Sequence, residues 1–491
     1  MKTRNMLKTS AFVLAVPLFA QAEPVAKNIL VILADDLGVM DLGCYNKNTF
    51  YETPNLDKLA AQGVRFTDGY ASCPVCSPSR FSLMTGRYAT RAGATNWFGA
   101  KRNGRFLQAQ MIHYMPSEEV TLAERLRETG YQTFFVGKWH LGEDEKYWPE
   151  HQGFDKNVAG WRRGSPASYF SPYKNPRLPD GPEGEHLTDR LATESISLLR
   201  NRDKTRPFLL YHSFYQVHTP LQAPAALVEK YKAKAIKLGL DHGENFGEEE
   251  QAWQSTQPRR VRIRQNHAVY AAMVESMDAA VGRILDELAR QGLLESTLVI
   301  FTSDNGGLST SEGHPTCNLP YRGGKGWLYE GGLRVPCIAR LPGAVHGGRV
   351  CRTPISSIDM LPTALAFAGV SLPADREIDG VSLMALLENG NVPERDALYW
   401  HYPHYGNQGG FPASAIRMGD WKLIERLEDG RVHLYNLSTD VGEKNDLAAQ
   451  EPERVAKMRS QLHAWYKETG ARFLQPKPGG PVPWKPSFYI N

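Results

Sequence analysis

The sequence predicts a large three-layer α/β/α core carrying a smaller C-terminal domain of antiparallel sheet plus helix. Three observations lead there. Several short aliphatic runs are apolar throughout instead of alternating, which is the pattern of strands buried on both faces. Amphipathic helical stretches fall between those runs, as α/β layering requires. From about residue 371 the texture changes to short strands joined by tight turns, followed by one last helix. A chain of 491 residues also exceeds one comfortable core, so two packed domains are expected. The expected division is 1–22 leader, 23–370 core and 371–491 C-terminal antiparallel-sheet subdomain.

Taken in order, Lys2, Arg4 and Lys8 precede an apolar stretch over residues 11–20 that closes on Ala20-Gln21-Ala22. That is the layout of a secretory signal peptide with a small-x-small cleavage site. The stretch is shorter than the ~20 residues needed to span a bilayer. Cleavage near Ala22 and export to a periplasm or beyond are expected, with no stable membrane anchor. Residues 28–34 form the first continuous apolar run and lead straight into Asp35-Asp36-Leu37-Gly38. Residues 133–136 precede Gly137-Lys138, residues 207–211 precede a polar segment, and 297–302 run into Ser303-Asp304-Asn305-Gly306-Gly307. Polar residues at the carboxyl ends of apolar strands are the usual makings of a ligand site in open α/β sheets.

Helical spacing marks residues 56–61, 122–127, 359–368 and, longest, 265–291, where Val269, Met273, Met277, Val281, Ile284 and Leu288 make one stripe before Gly292. In the C-terminal part, residues 416–424 and 432–437 read as strands bracketing a turn near Asp429-Gly430, and 452–469 as the final helix.

Composition limits the function classes. With 42% hydrophobic and 22% charged residues the chain is an ordinary globular protein, neither fibrous nor disordered. A net charge of +4 lacks the dense basic stripe of a nucleic-acid binder, and no nucleic-acid partner is expected. Its sign favours an anionic substrate if the basic groups gather in one cleft.

Six cysteines are present: Cys44, Cys73, Cys76, Cys317, Cys337 and Cys351. An exported chain permits disulfides, but spacing assigns no pairing. Cys73-Pro74-Val75-Cys76 has redox-pair spacing, although a thioredoxin-like site belongs to a small domain with different flanks. No zinc-ligand spacing occurs among the cysteines and histidines. Asp35-Asp36 and Asp304-Asn305 instead offer hard oxygen donors without sulfur or imidazole, which suits calcium or magnesium.

The most specific segment is Val75-Cys76-Ser77-Pro78-Ser79-Arg80-Phe81-Ser82-Leu83-Met84-Thr85-Gly86-Arg87. Read by itself it is a helix start with serine caps and apolar residues entering a core. The run also resembles the signature of type I sulfatases, Cys-x-Pro-Ser-Arg followed two residues on by two apolar residues and Thr-Gly. A second segment, residues 130–140 ending in Gly137-Lys138-Trp139-His140, resembles that family's second signature. Shorter segments around His218 and around Lys325 resemble its remaining histidine and lysine. The resemblance extends from Asn28 through Asp446-Leu447 and implies the alkaline phosphatase-like core of bacterial carbohydrate sulfatases.

What the resemblance implies is specific. Cys76 would be converted to formylglycine by a separate formylglycine-generating or sulfatase-maturating enzyme. Asp35, Asp36, Asp304, Asn305 and modified Cys76 would surround one divalent cation, usually Ca2+, with Mg2+ possible. One oxygen of the aldehyde hydrate would attack sulfur, while Arg80, Lys138 and Lys325 offset charge on the sulfuryl oxygens and His218 protonates the departing alcohol. His140 would then take a proton so that sulfate leaves and the aldehyde returns.

A phosphodiester or phosphonate monoester hydrolase of the same superfamily is the alternative, although two-zinc phosphatases need imidazole ligands where Asn305 stands. The expected substrate is a sulfated saccharide, with a lean to a terminal galactose-type sugar. Trp97, Trp148, Trp161 with Arg162-Arg163, and the cluster Trp400-His401-Tyr402-Pro403-His404 are candidates for a sugar-lining wall.

Overall fold

The computed structural model describes residues 27–252, 258–344 and 346–487. The leader, including the cleavage site expected near Ala22, lies outside the described residues. Among the described residues no helix is long and apolar enough to cross a membrane.

An eight-stranded mixed sheet forms the core. Its centre is the Asn28–Ala34 strand, parallel to Thr297–Ser303 on one side and to Phe208–Ser213 on the other. Gln132–Gly137 lies parallel beyond Phe208–Ser213. These are the four runs read as apolar strands. All seven residues of Asn28–Ala34 are buried, and alternate ones serve opposite layers. Leu30, Ile32 and Ala34 join the cluster that contains helices Leu187–Asn201 and Ala268–Arg290. Ile29, Val31 and Leu33 join the cluster that contains helices Cys76–Thr85, Leu122–Glu128 and Met360–Ala368. Period-two side-chain placement therefore turns one uninterrupted apolar run into the middle layer of three.

The register decides where function can sit. Ala34 pairs with Ser303, Leu33 with Ser213, and Gly137 with Ser213, so four parallel strands end at one level. Whatever follows each strand is delivered to one edge of the sheet.

The C-terminal sheet is antiparallel, in the order Leu398–Tyr402, Ala413–Met418, Trp421–Arg426, Val432–Asn436. Helix Pro452–Thr469 packs on it through Met458, Leu462, Trp465 and Tyr466. Two sequence expectations change here. Residues 416–424 are not one strand: the chain reverses at Gly419, whose φ is 57°, and Met418 pairs with Trp421. The Trp400 cluster is a strand, with Trp400 only 1% exposed and its indole N–H donating to the Ala71 carbonyl at 2.7 Å. His401 is likewise spent on Ser414 Oγ and the Arg472 carbonyl. Trp400 thus anchors the C-terminal sheet to the segment at Ala71 and His401 anchors it to the segment after the last helix, and neither lines the cleft.

Candidate active site

Most site residues follow closely on a strand or open a helix, while Lys325 lies on the loop between Thr297–Ser303 and Glu330–Leu333. Asp35 and Asp36 continue the central strand. The Asp35 N–H donates to the Gln216 carbonyl and the Val217 N–H to the Asp35 carbonyl, which locks that turn to the segment bearing His218. Asp36 has φ of 62°, a left-handed turn that a short polar side chain tolerates best after glycine. Asp304 and Asn305 continue the neighbouring strand. The next residue must be glycine, because a Cβ at Gly306 would lie 1.9 Å from the Gly331 carbonyl oxygen. Gly137, before Lys138, is equally obligatory: its φ is 105° and a Cβ would lie 1.8 Å from the Ser213 carbonyl oxygen.

Cys76 opens the Cys76–Thr85 helix, all ten residues of which are buried. The helix ends at Gly86 in the left-handed conformation. The Cys76 Sγ stands 3.3 Å from His140 Nδ1, and this sulfur marks where an oxygen of a converted residue would sit, with Cβ as the carbon that bears it. Cys73 and Cys76 are separate thiols, as are the other four cysteines.

The charges interlock. Arg80 donates through Nε to Asp304 Oδ2 at 2.8 Å and through Nη1 to the Lys138 carbonyl and Ser213 Oγ. Its Nη2 lies 3.7 Å from Asp35 Oδ1. Lys138 Nζ donates to Asp35 Oδ2 at 2.6 Å and Lys325 Nζ to Asp36 Oδ2 at 2.8 Å. Asn305 Nδ2 donates to Asp36 Oδ1, and the Asp36 N–H to Asp304 Oδ1. Burial raises the Asp35 carboxyl well above its ordinary range, against the pull of Lys138. For Asp36 burial works the same way, but Lys325 and His218 outweigh it and the carboxyl stays below the usual range. Burial raises the Cys76 thiol, with Lys138 and Lys325 opposing.

One ligand atom from each of Asp35, Asp36 and Asp304 lies within 4.8 Å of the others. Asp35 Oδ1 and Asn305 Oδ1 are buried without a hydrogen-bond partner. Orphaned oxygens beside crowded carboxylates are what a hard cation satisfies, so the donor set fits a divalent ion of the calcium or magnesium kind.

An open cleft of about 210 Å3 leads to Cys76 and is lined by Trp97, His140, Gly164, Ser165, His218, Glu312, Lys325, Asn407 and Gln408. His218 Nδ1 faces the Thr219 carbonyl at 2.8 Å, and Nε2 lies 3.7 Å from Asp36 Oδ2. Burial and the Lys325 charge hold His218 down at about 3, and burial with the Lys138 charge puts His140 well below its ordinary value.

The structure thus gathers every candidate for catalysis or metal binding: Asp35, Asp36, Cys76, Arg80, Lys138, His140, His218, Asp304, Asn305 and Lys325 occupy one site. Within it they divide, since Arg80 and Lys138 lie beneath the cleft against the carboxylates. Of the tryptophans, Trp97 lines the cleft, whereas Trp148 and Trp161 are each 8% exposed. Glu312, Asn407, Gln408 and Ser165 were not legible beforehand. They sit on loops without periodicity, and Asn407 and Gln408 arrive from the C-terminal part.

A buried cysteine among paired carboxylates, lysines and histidines, at the strand ends of a doubly covered sheet, is an arrangement suited to hydrolysis of anionic esters. The Sulfatase family profile matches residues 27–370 and the N-sulphoglucosamine sulphohydrolase C-terminal profile residues 323–469. The chain belongs to the sulfatase family and is a sulfuric ester hydrolase. A sulfatase of Formosa agariphila is 33% identical, covering 90% of this chain and 89% of that protein. Human N-acetylgalactosamine-6-sulfatase is 32% identical, with coverages of 78% and 69%. The structure of Ps i-CgsB in complex with k-i-k-neocarrahexaose superposes with a TM-score of 0.73 at 27% identity, covering 90% of this chain and 92% of that one. A phosphonate monoester hydrolase of Agrobacterium radiobacter shares the fold, with a TM-score of 0.62 at 21% identity and coverages of 94% and 100%.

Proposed function

We propose that this enzyme removes an O-sulfate from a sulfated carbohydrate, with a terminal galactose-type sugar as the favoured unit and Cys76, converted to formylglycine, as the nucleophile. The observation that carries the reading is the position of Cys76: a helix N-terminus at the floor of the cleft, 3.3 Å from His140 and beside Lys325 and His218. Relatives that act on N-acetylgalactosamine 6-sulfate, and the structural neighbour holding a carrageenan hexaose, support a carbohydrate substrate.

Asp35, Asp36, Asp304 and Asn305, with modified Cys76, would hold one Ca2+. When bound, that ion eases ionisation of the nucleophile and neutralises sulfuryl charge. The remaining work belongs to the chain. Lys325, at the cleft wall, holds the sulfuryl group by charge. Arg80 and Lys138 keep Asp304 and Asp35 aimed while cancelling part of their repulsion. His218 gives a proton to the departing alcohol oxygen from Nε2, because Nδ1 is engaged with Thr219. His140 Nδ1, beside position 76, accepts the proton whose loss expels sulfate.

This reading includes export after cleavage near Ala22, maturation by a formylglycine-generating or sulfatase-maturating enzyme, and a core of residues 23–370 with a C-terminal subdomain of 371–491. Enzyme co-expressed with a maturation enzyme, assayed in parallel on a sulfate ester and its phosphate or phosphonate analogue, tests it. Turnover of the sulfate ester should dominate; preference for the phosphorus ester would replace the assignment with the phosphonate-hydrolase alternative.

A further inference from the structure

One arginine in the segment that leads into the cleft wall has no role in the chemistry above. Trp161 packs into the core, 8% exposed, and its carbonyl accepts the His140 N–H at 3.2 Å. Arg162 and Arg163 both lie over its ring, with guanidinium carbons 5.6 and 5.4 Å from the centroid. Arg162 is also paired with Glu143. Arg163 is exposed and has no carboxylate partner among the described residues. Stacking on a buried indole fixes a guanidinium in place while leaving its N–H edge directed outward. The next two residues, Gly164 and Ser165, are cleft wall. A Cβ at Gly164 would come within 2.4 Å of His140 Cε1, so Arg163 is one residue from backbone touching the reaction centre.

Other charges stand along the wall. Glu312 accepts from the side-chain amides of Asn407 and Gln408, placing a carboxylate on their part of the wall. Behind Asn407, Arg259 donates to its carbonyl at 2.6 Å. Burial and the nearby charge of Arg102 both lower Arg259, so two more cations stand close together near that loop. A second anion entering with the substrate meets two cationic flanks, Arg163 beside Gly164 and Ser165, and Arg259 with Arg102 near Asn407, where the Glu312 carboxylate opposes it.

Building on the sulfatase reading, we propose that Arg163, held on Trp161, forms a second anion subsite that takes a sulfate or carboxylate on the sugar next to the one being desulfated. The substrate class is then a polyanionic oligosaccharide, not an isolated sugar monosulfate. The contact is a charge-assisted hydrogen bond from a guanidinium at a solvent-exposed rim, where such pairs are worth a few-fold in affinity.

The test uses mature enzyme turning over a small aryl sulfate, with three competitive inhibitors: inorganic sulfate, a sulfated neutral tetrasaccharide and an unsulfated uronate-containing tetrasaccharide. Arg163→Ala should raise the inhibition constant of at least one tetrasaccharide about fivefold, and Arg163→Glu further, while inorganic sulfate changes less than twofold. The tetrasaccharide affected identifies the anion. Raising ionic strength from 0.05 to about 0.5 M should erase most of the difference. Equal changes for all three inhibitors, or none for either tetrasaccharide, overturns the subsite. If enzyme with fully converted Cys76 turns over neither an aryl sulfate nor a sugar sulfate, the proposed function fails instead, and calorimetric binding of the same tetrasaccharides to wild type and Arg163→Ala decides the subsite separately.

Discussion

Replacing His218 separates proton donation from every other contribution of the site. Its Nδ1 lies 2.8 Å from the Thr219 carbonyl oxygen, an arrangement that places the hydrogen on Nδ1 and leaves Nε2 as the atom available to a leaving group. Burial and Lys325 keep the ring neutral near pH 7 in the form described, held at about 3. A sulfate ester anion brought alongside favours the imidazolium and supplies the acid. A positioned general acid contributes 10²–10⁴-fold, about 3–5 kcal/mol of barrier, when the leaving group is a poor one such as a sugar alkoxide. A nitrophenolate leaves without a proton, so its loss should stay within about tenfold. The assay is kcat/KM of wild type and His218→Ala on a sugar sulfate and on 4-nitrophenyl sulfate. Peptide mass must show equal conversion of position 76 in both proteins. Equal losses on the two substrates would refute proton donation by His218 and leave it a binding residue.

The peptide containing Cys76 should be lighter in active enzyme by the change from thiol to aldehyde, and Cys76→Ser should lose turnover while remaining folded; active enzyme with an unmodified thiol refutes the nucleophile. Calcium at a hundredfold excess over its Kd should stabilise the protein by about 2.7 kcal/mol against a chelator control, and Asp304→Asn should remove most of that gain in thermal denaturation. Glu443, 2.8 Å from Lys422 and buried, is pushed up from 4.5 to about 7 by burial and by Glu330, against the pull of Lys422. A raised carboxyl binds its proton more tightly folded than unfolded, so stability is present below pH 4.5 and declines as pH rises to about 7, by as much as about 3 kcal/mol. Glu443→Gln should flatten urea-denaturation free energies across that window; an unchanged slope would show that Glu443 does not titrate there.

Local pattern made the core and the reacting groups legible. The runs at 28–34 and 297–302 are legible as strands because burial on both faces favours near-continuous aliphatic residues, and Asp35, Asp36, Asp304 and Asn305 stand out because ligand sites form where such strands end. The helix predicted at 452–469 is the observed one, with Pro452 opening it as proline does in a first turn. The hairpin at Gly419 escaped notice because Ile416 through Ile424 keep a strand-like composition across the reversal, and only a positive φ marks the turn. Trp400 and His401 resembled sugar-binding residues in one dimension because an aromatic strand buried between two sheets has the same composition as an exposed platform.

The sequence by itself determined the Cys76 helix start, the acidic strand ends, the lysines and histidines beside them, and the layered core. Each is encoded in residues that are neighbours along the chain or that repeat with the period of one element. Tertiary structure decided what those groups do to one another. It set Arg80 and Lys138 beneath the cleft and Lys325 and His218 at its wall, brought Asn407 and Gln408 in from the C-terminal part, and laid Arg163 over Trp161. Those relations join residues up to hundreds of positions apart, and strand register and packing create them only when the chain closes.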